Sequence, residues 1–262
     1  MASIRVVING VTGRMGTETV SAIGREQDLE LVGGVCRRER GASLPLPNGG
    51  VIPLSTNLED LLERTHPDVV VDFTNAATCM ASVPVAVRHS AHLVLGVSGI
   101  TEADLRQLDA LANDRKLGII LAPNFALGAV ILKKLAEQAA PYFDYVDIVE
   151  AHHEAKIDSP SGFALALAKS LGDQKRFTRN VPEKENLPGT RGGEYHGISI
   201  HSIRMPGRSA HHEVIMGAAG QTITLRHDTL SRDCYMPGVI RCIREAVRRP
   251  GLTVGLENIL GL

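Results

Sequence analysis

Apolar and polar residues alternate in blocks along the first half of the chain, and the blocks differ in periodicity. Unbroken apolar runs rich in β-branched residues are typical of strands buried on both faces, and they occupy residues 4–9, 29–37, 68–73, 93–97 and 118–122. Segments of helical character separate these runs. The first extends from a glycine-rich turn to about residue 27, and the others lie at residues 57–64, 76–90 and 101–116. Strict alternation of strand and helix predicts βαβ units and a Rossmann-type parallel sheet.

The pattern changes after Asn124. Helices are predicted at residues 127–140 and 161–171, and strands at residues 145–151 and near 197–204, 211–217 and 220–227. Polar stretches at residues 38–50 and 173–195 are predicted to be loops, and the last helix is predicted to start near Met236. We therefore predict an α/β chain with a dinucleotide-binding domain at residues 1–124 and an α+β domain with an open mixed sheet at residues 125–233. The tail, residues 234–262, is predicted to pack back on the first domain.

Charge and composition narrow the classes of function. The 262 residues are 44% hydrophobic and 22% charged, and 28 basic residues balance 29 acidic ones to a net charge of −1. This balance is typical of a globular protein and lacks the basic footprint of a nucleic-acid partner. The densest basic run has helical spacing and is interpreted as a solvated helix face; it comprises Arg241, Arg244, Arg248 and Arg249.

Cysteine usage and the apolar runs bear on location. The four cysteines are scattered without a CxxC pair, which predicts a reducing compartment and neither a disulfide framework nor a metal knuckle. No separate apolar segment precedes the first strand, and no apolar run approaches the roughly 20 residues that span a membrane. The expectation is a cytoplasmic protein with no membrane partner.

A glycine-rich loop follows the first predicted strand. Gly10, Gly13 and Gly16 lie in the segment GVTGRMG, between a strand and a helix. A dinucleotide pyrophosphate needs a tight turn, close backbone approach and free amides at a helix N-terminus, and glycines at this spacing supply them. The loop therefore predicts cofactor binding, although Thr12 stands where the common fingerprint has its middle glycine. The simpler alternative is a turn that only lets helix and strand pack closely.

The end of the second strand bears on the choice of nicotinamide cofactor. An acidic residue there would bind the ribose 2′-hydroxyl of NAD, whereas an arginine accommodates the 2′-phosphate of NADP. Cys36 is followed by Arg37 and Arg38, with no carboxylate at the strand tip. Arginine binds phosphate in a bidentate manner, so the sequence favours NADPH, with NADH also accepted. The alternative is a solvated basic turn.

The segment at residues 150–162, EAHHEAKIDSPSG, concentrates candidate chemistry. His152, His153 and Lys156 leave a predicted strand and enter a turn that leads into a helix beginning near Ser161. A cationic pocket facing a helix N-terminus suits a small dicarboxylate, and histidine can move a proton near neutral pH. No carboxylate or cysteine at helical spacing completes a zinc shell, so no metal site is predicted.

This segment resembles the E-(A/L)-H-H-x-x-K-x-D-A-P-S-G-T motif of dihydrodipicolinate reductases. The likeness extends over nearly the whole chain. GVTGRMG resembles the family's GxxGRMG loop, Val71–Thr74 its VDFT, Gly96–Gly99 its GTTG and Ala122–Phe125 its APNF. The runs IHSIRMPGRSAHHEVIMG and GQTITLRHDTLSR follow in the family's order and spacing.

The resemblance implies a role for each matching position. His152 would be the proton donor or acceptor and Lys156 the second proton donor. His153, Ser161, Gly162 and Phe163 would bind a substrate carboxylate, the last two through their amides. The residues that would line the cofactor are Gly10, Val11, Thr12, Gly13, Arg14, Met15, Arg37, Gly96, Val97, Ser98, Ala122, Pro123, Asn124 and Phe125. The implied activity is NAD(P)H-dependent reduction of dihydrodipicolinate, or its 4-hydroxy-tetrahydro form, in lysine and diaminopimelate biosynthesis, by a homotetramer joined through the second domain, which would bind the substrate.

Phe163 departs from the family pattern, because it stands where the family has threonine. A phenyl ring cannot replace that hydroxyl, although the backbone amide remains. Two alternatives therefore stay open. One is a reductase of a related cyclic imine or dehydro-amino-acid carboxylate. The other is a non-catalytic dinucleotide-binding regulator, against which the intact pair of His152 and Lys156 argues.

Overall fold

The computed structural model describes residues 3–47 and 49–262, which divide into two compact units. Unit 1 comprises the described residues up to Leu127 together with Arg232–Leu262, and unit 2 comprises Gly128–Ser231. In chain order the strands are β1 (Ile4–Asn9), β2 (Leu29–Val35), β3 (Ser43–Pro45), β4 (Val51–Ser55), β5 (Val69–Asp72), β6 (His92–Leu95), β7 (Gly118–Leu121), β8 (Tyr145–His152), β9 (Gly193–Tyr195), β10 (Ile198–Arg204), β11 (Ala210–Ala218), β12 (Gln221–Thr229) and β13 (Gly251–Val254). The α-helices are α1 (Arg14–Ile23), α2 (Leu58–Thr65), α3 (Ala76–Arg88), α4 (Glu102–Arg115), α5 (Leu127–Ala139), α6 (Gly162–Gly172), α7 (Met236–Ala246) and α8 (Leu256–Leu260).

Unit 1 is built on an eight-stranded sheet in the order β13-β7-β6-β5-β1-β2-β4-β3. The pairs from β13 to β4 are parallel, and only β3 runs antiparallel to its neighbour β4. Val6, Val7 and Ile8 of β1 are fully buried, as expected for a strand covered on both faces. The predicted Rossmann-type parallel sheet is confirmed.

Local capping explains where several helices of unit 1 begin. Asn57 accepts hydrogen bonds from the first-turn amides of α2, and Thr101 with Asp104 forms a capping box at α4. Such caps satisfy amides that have no partner inside the helix. The first helix is shorter than predicted, because α1 ends at Ile23 and Gly24 follows it.

Four short strands and one short α-helix were not predicted. Residues 38–50 were expected to be a loop but include β3, and β4 follows directly after them. The polar stretch at residues 173–195 ends in β9. A helix does start at Met236, as predicted, but it is not the last one, because β13 and α8 follow α7. Strands of three to five residues at or next to a sheet edge depend on pairing with other strands, so local periodicity does not indicate them.

The basic run of α7 and the residues after it is largely neutralised by acidic neighbours. Arg244 lies 2.6 Å from both Glu26 and Asp28. Glu245 pairs with Arg249 at 2.7 Å and with Arg248 at 3.8 Å. Within the described ranges, no helix combines the length and the apolar character needed to cross a bilayer.

Unit 2 packs α5 and α6 around a five-stranded sheet in the order β12-β11-β8-β10-β9. The sheet is mixed, because β10 runs parallel to β8 while the other pairs are antiparallel, as the sequence predicts. Val146, Ile148, Glu150 and His152 are the buried alternate residues of β8. Two polar side chains therefore occupy the same buried face of the sheet as the apolar core of unit 2.

The start of α1 allows a test of close packing in unit 1. A Cβ atom on Gly16 would lie 2.3 Å from the carbonyl oxygen of Gly10, whereas one on Gly24 would come no closer than 3.5 Å to Val20. We expect Gly16→Ala to lower the free energy of unfolding by about 2 kcal/mol, because backbone must move. Gly24→Ala is the matched control and is expected to change it by less than roughly 0.5 kcal/mol. Urea unfolding checks both, and equal stability of the two variants would contradict the steric argument.

Candidate active site

The loop between β1 and α1 has the geometry of an anion cradle. Gly10 has a φ of +86°, and its amide and that of Val11 donate to the carbonyl oxygen of Val35 at 2.9 and 3.0 Å. The Gly13 amide donates to Gly10 at 2.9 Å, which closes the turn. Gly13 is also the N-cap of α1 and offers no side chain to the first-turn amides. These amides can therefore bind a phosphate at the positive end of the helix dipole.

The other predicted cofactor residues follow strands of the same sheet. Arg37 lies just beyond β2, residues 96–98 follow β6 and residues 122–125 follow β7. The strands are parallel, so their carboxyl ends meet at one edge, where dinucleotides bind in sheets of this type. Four of the predicted side chains are exposed there: Arg14, Arg37, Ser98 and Pro123. Four are buried and can offer only backbone: Val11, Val97, Ala122 and Phe125. The remaining positions are half-buried Thr12, Met15, Gly96 and Asn124.

Two features of this edge were not predicted from the sequence. The rings of Phe73 and Phe125 meet edge to face at 6.0 Å, and a Cβ on Gly96 would lie 2.5 Å from Phe73. Asn9 donates to the buried carboxylate of Asp72 at 2.8 Å, and burial raises the pKa of that carboxyl. Glycine cradle, uncapped helix start and tightly packed strand ends together fit a dinucleotide.

The predicted catalytic segment lies wholly in unit 2, and a buried carboxylate organises it. Glu150 has no exposed surface, and its Oε2 lies 2.5 Å from Nδ1 of His152. Arg204 donates to both carboxylate oxygens, at 2.8 and 3.0 Å. The amide of Ser161 donates to Oε1 at 3.2 Å. One carboxylate thus joins the end of β8, the end of β10 and the start of α6.

Burial and charge set the protonation of this group. Burial alone would raise the pKa of Glu150, but the hydrogen bonds it accepts, chiefly from Arg204, hold that pKa below its ordinary value. Burial lowers the pKa of His152, although Glu150 acts in the opposite direction. The result is an ionised glutamate beside a histidine that exchanges its proton readily.

The start of α6 is capped by Ser161, whose hydroxyl accepts from the Ala164 amide at 3.2 Å. That hydroxyl also lies 3.3 Å from Nε2 of His212, a buried residue of β11. Burial lowers the pKa of His212 to about 3, so this ring is neutral. The Phe163 ring packs edge-on against it, with centroids 4.6 Å apart. Phe163 therefore contacts the neutral imidazole rather than standing free.

Lys156 and His153 lie on the loop between β8 and α6. The Lys156 ammonium lies 2.6 Å from Asp158, and the Gly162 amide also donates to that carboxylate, whose pKa Lys156 lowers. His153 is exposed. The structure thus brings His152, Lys156 and the N-terminus of α6 into one segment. The carboxylate of Asp158 occupies the two groups that were expected to bind an anion, Lys156 and the Gly162 amide.

Sequence reasoning missed Glu150, Arg204 and His212. Glu150 could have been found, because residues two apart on a strand share a face and His152 is its nearest such neighbour. Arg204 and His212 come from strands 50 or more residues away, at register positions opposite His152 and Glu150. Among the described residues, no three His, Cys, Asp or Glu side chains are grouped as around a metal ion.

Comparison with known proteins identifies the family. The family model described as Dihydrodipicolinate reductase, N-terminus, matches residues 4–125, and the model of the family's C-terminus matches residues 128–260. The chain belongs to the dihydrodipicolinate reductase family. Curated relatives named 4-hydroxy-tetrahydrodipicolinate reductase include one from Dehalococcoides mccartyi strain 195, 44% identical over 100% of both chains. Another, from Moorella thermoacetica, is 41% identical over 99% of each.

A solved member of the dihydrodipicolinate reductase family has the same fold. The structure, described as a dipicolinate-bound dihydrodipicolinate reductase from Paenisporosarcina sp. TG-14, superposes with a TM-score of 0.89. It is 38% identical and covers 98% of this chain and 99% of its own. The likeness therefore extends over both units.

Proposed function

We propose that this protein is an NAD(P)H-dependent 4-hydroxy-tetrahydrodipicolinate reductase of lysine and diaminopimelate biosynthesis. The observation that carries the proposal is His152, buried and bonded to the ionised Glu150 beside the N-terminus of α6. A family member built this way has a proton-transfer group next to an anion-binding helix terminus. A pure dinucleotide-binding regulator has no need of such a pair.

Substrate binding is assigned to the loop before α6 and to the start of that helix. Lys156 and the Gly162 amide hold the Asp158 carboxylate in this structure, so the same two groups can hold a carboxylate of the substrate. His153, exposed on the same loop, and the Phe163 amide complete the proposed site. Ser161 contributes through its cap of α6, because its hydroxyl already binds the Ala164 amide.

The reaction joins one hydride to one proton. A bound nicotinamide would supply the hydride, to the carbon conjugated with the C=N bond of the substrate. The electron pair of that conjugated system moves to nitrogen, and the cationic Lys156 stabilises the charge that develops. A single proton completes the reduction: its delivery is assigned to His152, with Lys156 as the second candidate donor, and the product is tetrahydrodipicolinate.

The cofactor is assigned to the edge of the unit 1 sheet where the carboxyl ends of its parallel strands meet, with NADPH preferred over NADH. Arg37 is exposed beyond β2, and Cys36 at the strand tip is buried, where an acidic residue would select NADH. This exposure supports the assignment of the Arg37 guanidinium to the 2′-phosphate. Backbone amides at the start of α1 would hold the pyrophosphate.

We also propose a cytoplasmic homotetramer. The four cysteines, Cys36, Cys79, Cys234 and Cys242, are scattered along the sequence without a CxxC pair, which suits a reducing compartment. The face of the unit 2 sheet opposite Glu150 and His152 carries exposed Tyr145 and Ile203, apolar side chains that a second copy would cover. Gel filtration with light scattering tests the assembly.

Phe163 favours a second candidate, a reductase of a related cyclic imine or dehydro-amino-acid carboxylate. The ring occupies the position of the family's threonine and packs on His212. One hydrogen bond to a charged carboxylate is thereby absent, a loss of roughly 1.5–3 kcal/mol. A differently shaped substrate would avoid this loss.

A coupled assay tests the proposed function. The protein is mixed with NADPH, or with NADH, and with dihydrodipicolinate synthase and its substrates, while nicotinamide absorbance is followed. We expect rapid oxidation that requires the synthase and is faster with NADPH. Cofactor binding without any such oxidation would instead support the second candidate.

Arg37→Ala tests the cofactor preference. Loss of the guanidinium should raise the KM for NADPH about tenfold and leave that for NADH within about twofold, because only the 2′-phosphate loses its partner. Arg106→Ala, on exposed α4 of the same unit, is the matched control. Equal losses for both cofactors would contradict the assignment of Arg37.

Phe163→Thr tests the substrate assignment. If dihydrodipicolinate is the native substrate, the restored hydroxyl should lower its KM about tenfold. Phe163→Leu keeps an apolar side chain without a hydroxyl and serves as the control. A higher KM in Phe163→Thr alone would mean that the ring itself shapes the pocket for another substrate.

Asp158→Asn tests the internal carboxylate. The substrate has to displace Asp158 from Lys156 and Gly162, so we expect the KM to fall about threefold to tenfold with kcat nearly unchanged. Asp173→Asn, at the exposed C-cap of α6, removes the same charge from unit 2 without this competition. A raised KM for Asp158→Asn would show that Asp158 holds Lys156 in position instead.

A further inference from the structure

One buried side chain that has no role in the proposed reaction contacts His152, Arg204 and the start of α6. Glu150 is fully buried, yet its carboxylate has four partners: Nδ1 of His152, both terminal nitrogens of Arg204, and the Ser161 amide. An ionised carboxylate accepts hydrogen bonds and donates none. The side chain is therefore a fixed acceptor pointed at one nitrogen of the imidazole.

This contact decides which nitrogen of His152 carries a hydrogen. A neutral imidazole has one N–H and one lone pair, and the nitrogen facing a carboxylate has to be the donor. Nδ1 of His152 is consequently protonated, and Nε2 is left to exchange a proton. A flip of the ring or a change of tautomer would break the bond to Glu150.

The two oxygens of Glu150 separate two tasks. Oε2 accepts from His152 and from one nitrogen of Arg204, while Oε1 accepts from the other nitrogen and from the Ser161 amide at the start of α6. The same carboxylate therefore sets the orientation of the imidazole and the position of the helix terminus. Arg204 balances its charge, so the carboxylate stays ionised in a buried site.

We propose that Glu150, held by Arg204, is a positioning residue that keeps His152 in the Nδ1–H tautomer with Nε2 free for proton transfer. The proposal rests on the proposed function, since it assigns how the proton donor of that reaction is held. It gives Glu150 no contact with substrate or cofactor.

The tautomer can be read without turnover. Ring nitrogens of protein labelled with ¹⁵N-histidine are observed by NMR near pH 8, and the His152 signals are assigned by their loss in His152→Gln. We expect Nδ1 protonated and Nε2 unprotonated in the wild-type protein. A wild-type ring protonated on Nε2 overturns the proposal, whether or not the protein reduces dihydrodipicolinate.

Glu150→Gln tests the consequence for catalysis. The glutamine oxygen can still accept from Ser161 and Arg204, while its NH₂ group faces Nδ1 and imposes the Nε2–H tautomer. In the coupled assay we expect kcat to fall at least about a hundredfold, while the KM stays within about threefold. The NMR signals of His152 should change to the other tautomer in the same variant.

The pH profile separates positioning from loss of structure. The charged or titratable groups that face His152 are Glu150, Lys156, Arg204 and His212. Glu150 is the one that favours the protonated ring, so its loss should move the decline of kcat with rising pH to a lower pH. Glu137→Gln, a half-buried glutamate of α5 paired with Lys133 and Lys134, is the control. An unchanged profile and tautomer in folded Glu150→Gln would refute the proposal.

Discussion

The buried charge of Glu150 is the constraint on which the candidate site in unit 2 depends. A buried carboxylate is costly unless a cation and hydrogen bonds compensate it, and Arg204, His152 and the Ser161 amide do so here. These partners come from two strands and from the start of α6, so the compensation also sets where the three elements meet. Removing one partner would leave an uncompensated charge in the core. The chemistry and the local fold therefore share one interaction.

The proposed cofactor site in unit 1 is built from different groups. Its loop edge offers backbone amides, close glycine packing and a helix terminus, with Arg37 as an exposed charge beyond β2. Backbone amides fit the constant pyrophosphate of a dinucleotide, since they need only a fixed turn. Charged side chains in unit 2 fit a small dicarboxylate whose shape has to be distinguished. Glycine spacing thus determines the geometry of the proposed cofactor site in unit 1, and balanced charge determines that of the proposed substrate site in unit 2.

This difference explains how far the sequence predicted each part. The strands of unit 1 are local apolar runs, so the parallel sheet was predicted, while edge strands such as β3 and β13 depend on distant pairing. The candidate catalytic segment is contiguous in sequence, so His152 and Lys156 could be singled out as candidates, while the roles that the family resemblance implies for them stay predictions. Arg204 lies opposite His152 only through the register of β10 on β8. Glu150 lies two residues before His152, so the strand pattern places both on one face. The role of Glu150 can be recognised, however, only once the position of Arg204, its cationic partner, is known.

Phe163 shows which part of the site can vary. Burial lowers the pKa of His212 to about 3, so the ring that Phe163 packs against carries no charge. The positive charge available to an anion therefore comes from Lys156 and from His152 when its ring is protonated. Neither side chain acts through residue 163. The amides at the start of α6 that we propose bind an anion belong to the backbone, so any side chain other than proline leaves them in place. A phenyl ring at this position consequently changes the shape of the proposed pocket and removes one hydrogen bond, while the groups that we propose bind a carboxylate and donate the proton stay in place.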